Sequence, residues 1–196
     1  MERVSTVPDA DRFEIEQLIR PMVNLYRVSS HGLPVAFVRQ KRMSMKEDIR
    51  FFAHEDETEE LFRIKARSMM ELGGRYDVTT PAGEKIGVLE KVFGKSLLRS
   101  TWRILDAGEQ EVAVAQERSM LVAIARRVAD LVPYGEFVPI LFHFRIDRGE
   151  QHLGDFTRPI GVRDRYTLDL SGDTERTIDR RLGITLGVAL DALQSR

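Results

Sequence analysis

The segment Leu182-Gly-Ile-Thr-Leu-Gly-Val-Ala-Leu190 is apolar on nearly every side, and a chain that contains it must find somewhere to put it. Gly183, Thr185 and Gly187 are its only glycine or polar breaks. A helix that is hydrophobic all round is either enclosed by protein or immersed in a membrane. The run stops at Asp191, well short of the roughly 18 consecutive apolar residues of a membrane span, so enclosure is the expectation. Asp173 or Thr174 reads as an N-cap, Glu175 suits the positive end of a helix dipole, and the first turns are charged. A helix is therefore predicted from about Thr174 to Leu193. Each glycine in a helix interior costs about 1 kcal/mol relative to Ala. Two of them predict a tight sleeve in which larger side chains would collide.

The rest of the chain has the rhythm of that sleeve. Turn residues recur every ten or so positions, between short segments rich in Val, Ile, Phe and Tyr, as in an antiparallel all-β domain. One unit occurs four times: aromatic, any residue, β-branched, a polar stretch with Gly, then an aliphatic residue followed by Gly or Ala. The copies are Tyr26-Arg-Val28 with Gly32 and Val35-Ala36, and Tyr76-Asp-Val78 with Gly83 and Ile86-Gly87. Trp102-Arg-Ile104 with Gly108 and Val112-Ala113, and Phe144-Arg-Ile146 with Gly149 and Leu153-Gly154, complete the set. Each reads as a hairpin. Residues two apart share a sheet face, the Gly permits a left-handed turn residue, and the final small residue lets another backbone approach. Further strands are predicted at Phe13 to Ile19, Ile49 to Ala53, Leu61 to Arg67, Met120 to Arg126 and Arg165 to Leu170.

Composition narrows the function classes. The 196 residues are 42% hydrophobic and 31% charged, ordinary for one globular domain. A formal charge of −1 provides no general field for nucleic acid, so no nucleic-acid partner is expected. The absence of cysteine removes disulfides, thiolate metal sites and cysteine nucleophiles, which suits the cytoplasm. The N-terminus lacks an apolar signal-peptide core, and no lipidation signal is visible.

Motifs for chemistry are missing. No G-x-G-x-x-G, P-loop, G-x-S-x-G or H-E-x-x-H occurs, so no catalytic residue and no cofactor is assigned. Asp169, Ser171, Asp173 and Glu175 alternate as in a calcium loop. Thr174 stands where that loop needs Gly, however, and Arg180 where it needs a bidentate Glu; the segment reads as a turn and helix cap, and no metal site is assigned. His31 and His54 are expected to be solvated, the latter opening an acidic loop that runs to Glu60. His143 and His152, on opposite arms of one hairpin, read as a cross-strand pair.

The basic residues are the one suggestive cluster. Arg39, Lys41, Arg42 and Lys46 follow the first hairpin, and Arg63, Lys65 and Arg67 alternate along one strand and so share a face. A positive groove formed by Arg39, Lys41, Arg42, Arg63, Lys65 and Arg67 could meet phosphate head groups. The competing reading is an ordinary charged outer face that blunts edge pairing, with acidic Asp48, Glu55 and Asp56 nearby.

The hairpin Tyr76-Asp-Val78…Gly83…Ile86-Gly87 and the closing apolar helix together resemble the Tubby C-terminal-like superfamily. So do the stretches Phe37-Val-Arg-Gln-Lys41, Ile49-Arg-Phe-Phe-Ala53 and Leu61-Phe-Arg-Ile-Lys65. The closer likeness is to its LURP-one-related and phospholipid-scramblase-like branch, over about Phe13 to Leu193. The resemblance implies a mainly β fold: a closed antiparallel β-barrel of about twelve strands around a central hydrophobic C-terminal α-helix. It places an N-terminal extension at 1–12 and one barrel domain at 13–196, with the central helix at 174–194. It also implies a non-enzymatic domain that binds anionic phospholipid or phosphoinositide on its outer surface, cytoplasmic and peripheral to the membrane. A protein-interaction or regulatory scaffold, with another protein as partner, is the alternative.

Overall fold

The computed structural model describes residues 9–21, 23–41, 48–67, 74–92, 100–118, 143–159 and 165–193. Twelve strands lie within them: β1 (Arg12–Arg20), β2 (Val23–Ser30), β3 (Leu33–Lys41), β4 (Asp48–Phe52), β5 (Glu60–Ala66) and β6 (Gly74–Thr79) form the first half. The second half is β7 (Lys85–Val92), β8 (Thr101–Asp106), β9 (Glu111–Glu117), β10 (His143–Arg148), β11 (Gln151–Thr157) and β12 (Arg165–Asp169). Each strand pairs with its neighbours in sequence, and β1 pairs with β12 to close the barrel. One helix, α1 (Arg180–Ala192), follows. The strand expected at Met120 to Arg126 lies outside the described residues.

All four sequence repeats are hairpins, β2–β3, β6–β7, β8–β9 and β10–β11. In every one the pairing register shifts directly after the β-branched residue, at Val28, Val78, Ile104 and Ile146. A bulge there increases local twist and bends the strand, which is what turns a sheet into a barrel. The repeat is thus one bulged hairpin whose aromatic and β-branched residues point inward. Tyr26, Val78, Trp102, Ile104, Phe144 and Ile146 are all fully buried.

The turns follow the expectation with one correction. Gly32, Gly83 and Gly149 have φ of 77°, 90° and 58°. In the third hairpin the left-handed residue is Glu109, at φ 62°, and not Gly108. The Asp106 and Thr80 turns have the same hydrogen bonds, Glu109 N–H to Asp106 O at 3.0 Å and Gly83 N–H to Thr80 O at 3.0 Å. Geometry therefore aligns Glu109, not Gly108, with Gly83.

Small residues at the end of the repeat act as expected. A Cβ on Gly154 would lie 2.0 Å from the Asp169 carbonyl oxygen, and one on Gly87 would lie 2.5 Å from that of Leu105. Only glycine lets these backbones approach so closely.

The helix runs through the barrel interior. Leu182, Ile184, Leu186, Val188 and Leu190 are at most 1% exposed. Among the strands it lies closest to β7, β12, β1 and β2. Gly187 faces Ile15 and Phe156, and Gly183 faces Leu170. The buried Thr185 hydroxyl donates to the Arg181 carbonyl at 2.7 Å, so the one polar side chain of the run is satisfied within the helix.

The helix begins later than 174. Arg176 has φ 56°, which no right-handed helix accommodates, so Thr174 to Ile178 form turns and the N-cap is Asp179. Asp173 caps the turn instead. Its buried carboxylate accepts from the Thr177 amide and hydroxyl, the Ile178 amide and Arg180 Nη1 at 2.6–3.0 Å. Burial pushes that carboxyl up, but these donors outweigh it and hold it below the usual range. Arg180 also donates to Asp11 at 2.7 Å, tying the helix start to the chain just before β1. The far end is tied too: Asp191 accepts from Tyr26 Oη at 2.8 Å and from Tyr166 Oη. Helix α1 ends at Ala192, with Leu193 as C-cap, and residue 194 lies outside the described residues.

Enclosure makes two predictions. Val188→Asp buries an unpaired charge at a fully enclosed position, a cost of several kcal/mol and of the order of the whole stability of a domain. A cooperative thermal melt of that variant, followed by circular dichroism, would show that the helix is not enclosed. The two kinds of glycine should also differ. Gly154→Ala meets rigid backbone and should cost about 2–4 kcal/mol. Gly187→Ala meets side chains rather than backbone, the Ile15 δ-methyl at 2.6 Å and the Phe156 ring at 3.1 Å, and gains helix propensity, so it should cost less than Gly154→Ala. Urea melts that reversed this order would contradict the packing.

Candidate anion-binding face

Strand register brings three arginines into one row. Arg39 on β3 is directly opposite Arg50 on β4, which is directly opposite Arg63 on β5. Alternation fixes their direction, because Val38, Ile49, Phe51, Phe62 and Ile64 fill the interior and the residues between them face out. Phe51 stacks on Phe62 at 4.3 Å beneath the row, which holds β4 against β5 from inside. At one strand spacing per step the row extends about 10 Å.

Like charges directly opposite each other repel, so the row requires anions. They come from β4, from the loop after it and from the start of β5. Glu57 pairs with Arg39 Nη1 at 2.7 Å, and Glu60 Oε1 lies 2.5 Å from Arg63 Nε. Arg50 is served by Asp48 at 3.0 Å. Glu55 reaches back to Arg27 on β2 at 2.6 Å. The acidic run that follows His54 thus sets Glu55, Glu57 and Glu60 against arginines of this outer wall.

Of the six residues expected in the groove, Arg39, Arg63 and Lys65 share the outer face of β3–β5. Lys65 is exposed, lies opposite Asp48 and Asp77 in register, and makes no ion pair among the described residues. Lys41 ends β3 opposite Val23. Arg42, with the neighbouring Lys46, lies outside the described residues. Arg67 follows β5 and turns away from the row, donating to Asp77 at 2.7 Å and to Glu109 at 2.6 Å. Arg50, the middle of the row, is the residue that sequence reasoning missed. Its position between buried Ile49 and Phe51 is the signal that would have found it, since alternation forces it outward.

Glu109 forms a second electrostatic centre. Its carboxylate takes Arg67 Nη2 at 2.6 Å, Lys85 Nζ at 2.6 Å and Arg75 Nη2 at 2.8 Å. Hydrogen bonds from Arg67 and Lys85 pull this carboxyl down to about 2, and Asp77 with Glu109 raises Arg67. The histidines carry no such concentration of charge. His143 and His152 are not directly opposite; they meet through Asp155, whose two oxygens take their Nε2 atoms at 2.6 and 3.0 Å. Asp173 and Glu175 serve Arg180 and Arg148, and Asp169 caps the Ser171 amide, so the alternating acids point to separate partners. Among the described residues no group of three or more such side chains is placed to hold a metal ion. None of the described helices is long and apolar enough to cross a membrane.

Because the Glu109 carboxyl is lowered in the folded state, whatever stability it contributes is present above the unfolded value, near 4.3, and is lost as pH falls towards 2. Carboxyl-detected NMR titration should find Glu109 still ionised at pH 3, and Arg67→Met should move its midpoint upward. An unshifted wild-type midpoint would show that the cations are not gathered on it.

A model of the LURP-one-related family matches residues 35–191. No curated protein and no solved structure matches the chain. The matched span begins inside β3 and ends inside α1, so it contains the arginine row, three of the four bulged hairpins whole and nearly all of the enclosed helix. Strands β1 and β2 precede it and complete the same barrel. With most of its length matched in this way, the chain belongs to the LURP-one-related family.

Proposed function

We propose that the protein is a non-enzymatic module that binds anionic membrane lipid or phosphoinositide head groups on the outer wall of its barrel. The observation that carries this reading is the row Arg39–Arg50–Arg63, three guanidinium groups from adjacent strands on one face, beside the exposed Lys65. Guanidinium groups suit phosphate oxygens because their forked donors can bind in pairs. The carboxylates now on the row do not prevent this. Side chains of Arg39 and Arg50 are 42% and 46% exposed, and surface ion pairs of that kind are worth at most about 1 kcal/mol, so a phosphate can take their place. Four cations against Asp48, Glu57 and Glu60 leave one positive charge over, which makes the expected binding weak and salt-sensitive.

The filled interior supports the same placement, since a helix in the lumen leaves ligands the outer surface. In this reading the protein works in the cytoplasm at a membrane surface. A barrel around a central helix also supports a place for the chain in the Tubby-like superfamily, near its scramblase branch. The scaffold alternative expects a contiguous apolar patch away from the basic face. Among the described residues the exposed large hydrophobics are Leu33 and Val92, on different hairpins, and isolated residues of this kind are ordinary.

Sedimentation with vesicles of phosphatidylcholine, alone or mixed with phosphatidylserine or phosphoinositide, tests the proposal. Binding should require the anionic lipid and weaken as salt is raised. Arg39→Gln, Arg50→Gln and Arg63→Gln together should lower the partition coefficient on the order of 100-fold, at about 1 kcal/mol per cation. Absence of binding at low salt, or a triple variant that binds like the wild type, would overturn it.

A further inference from the structure

A cavity of about 790 Å³ lies on the outer wall across β12, β1, β2 and β3, bordered by the loop after β4. Its size falls within the range of sites that hold small organic ligands, roughly 300–1,000 Å³. It is outside the barrel: the lining residues Glu14, Arg27 and Thr167 take the outward positions of their strands, although the inward Ile15, Val28 and Tyr166 between them also border it.

The lining has an apolar end and a charged end. Phe37 lines it and is 6% exposed, yet it faces outward, between the core residues Ala36 and Val38 and opposite exposed Arg27. Phe52 lies opposite it on β4 and stands outside the main core as well. Pro34 and Ala53 extend this apolar end. Both lining arginines are already committed, Arg27 to Glu55 at 2.6 Å and Arg165 to Glu16 at 3.1 Å. Glu14 is different. It lies on the same face, between Thr167 and Ser29 in register, and makes no ion pair among the described residues. Among the described residues the charge in the lining without an ion pair is therefore the Glu14 carboxylate, two strand spacings across and two residues along from Phe37, or about 12 Å.

We propose that this cavity binds a small organic cation, an ammonium group carried on an apolar body. The ammonium pairs with Glu14, the apolar body covers Phe37, and the two arginine–carboxylate pairs form the side walls. An anionic ligand would meet Glu14 and find both arginines occupied. The inference does not depend on lipid binding by the arginine row, which lies on β3–β5.

Three probes of nearly equal shape separate the possibilities: 4-phenylbutylammonium, 4-phenylbutan-1-ol and 4-phenylbutyrate. Each is titrated into the ¹⁵N-labelled full chain and followed by amide chemical shifts. The ammonium should perturb Glu14, Arg27, Phe37 and Thr167 saturably and bind at least about fivefold more tightly than the alcohol, with the carboxylate weakest. Glu14→Gln should reduce the ammonium to the level of the alcohol and leave the alcohol unchanged, with the same thermal midpoint as wild type. Equal binding of the three probes, a preference for the carboxylate, or an ineffective Glu14→Gln would overturn the assignment to cations. No localised shift with any probe would overturn the cavity as a binding site. Vesicle sedimentation of the arginine-row variants reads the lipid proposal separately.

Discussion

Enclosure of α1 is the constraint from which the other features follow. A segment apolar on all sides has no solvent-facing orientation, so burial of Leu182 to Leu190 demands a wall on every side. An open sheet covers one side, whereas twelve strands closed by the β1–β12 pairing cover all of them. Closure needs curvature, which the bulge in each repeat supplies. The helix also needs room, which Gly183 and Gly187 provide by bringing its backbone towards Leu170, Ile15 and Phe156. Its axial position is set by charge at both ends, with Arg180 on Asp173 and Asp11, and Asp191 on Tyr26 and Tyr166. Hydrophobic contact alone is nondirectional and would let the helix slide.

A filled, closed barrel moves recognition to the outer wall and restricts its form. The described strands form a closed ring of pairs, so a partner strand finds no free edge to extend. Side chains must do the work. On β3–β5 the register that satisfies the interior, with Phe51 on Phe62, also sets Arg39, Arg50 and Arg63 opposite one another. Their mutual repulsion is relieved by Asp48, Glu57 and Glu60, and the more exposed of these pairs, Arg39 with Glu57 and Arg50 with Asp48, hold weakly. An interior requirement has thus produced an exterior charge pattern.

Much of this was legible in the chain. The four hairpins could be read because each announces itself locally, through an inward aromatic and β-branched pair and a turn. The enclosed helix could be read because nine consecutive residues lack a polar face. Legibility failed where a choice depended on non-local partners. Gly108 was the obvious left-handed residue, yet Glu109 takes that conformation, and its carboxylate gathers Arg67, Arg75 and Lys85 from other strands. Asp173 looked like a helix cap because acids often are, but the left-handed Arg176 delays the helix to Arg180. Asp191, which seemed only to end an apolar run, proves to be the anchor of two tyrosines. Arg67 was grouped with Arg63 and Lys65 by periodicity, which fixes a face but not the direction of a long side chain.

By itself the sequence determined that a helix without a polar side would be sheathed by antiparallel hairpins, since period, turn chemistry and apolar continuity act over short range. Only the tertiary structure decided which charges meet. Strand register and loop return set Arg50 between Arg39 and Arg63, and withdrew Arg67 to Glu109. They also left Glu14 without an ion pair among the described residues, in the same cavity as Phe37. Electrostatic partners are chosen across distances that no local pattern encodes, because each ion pair depends on where two remote backbones come to rest.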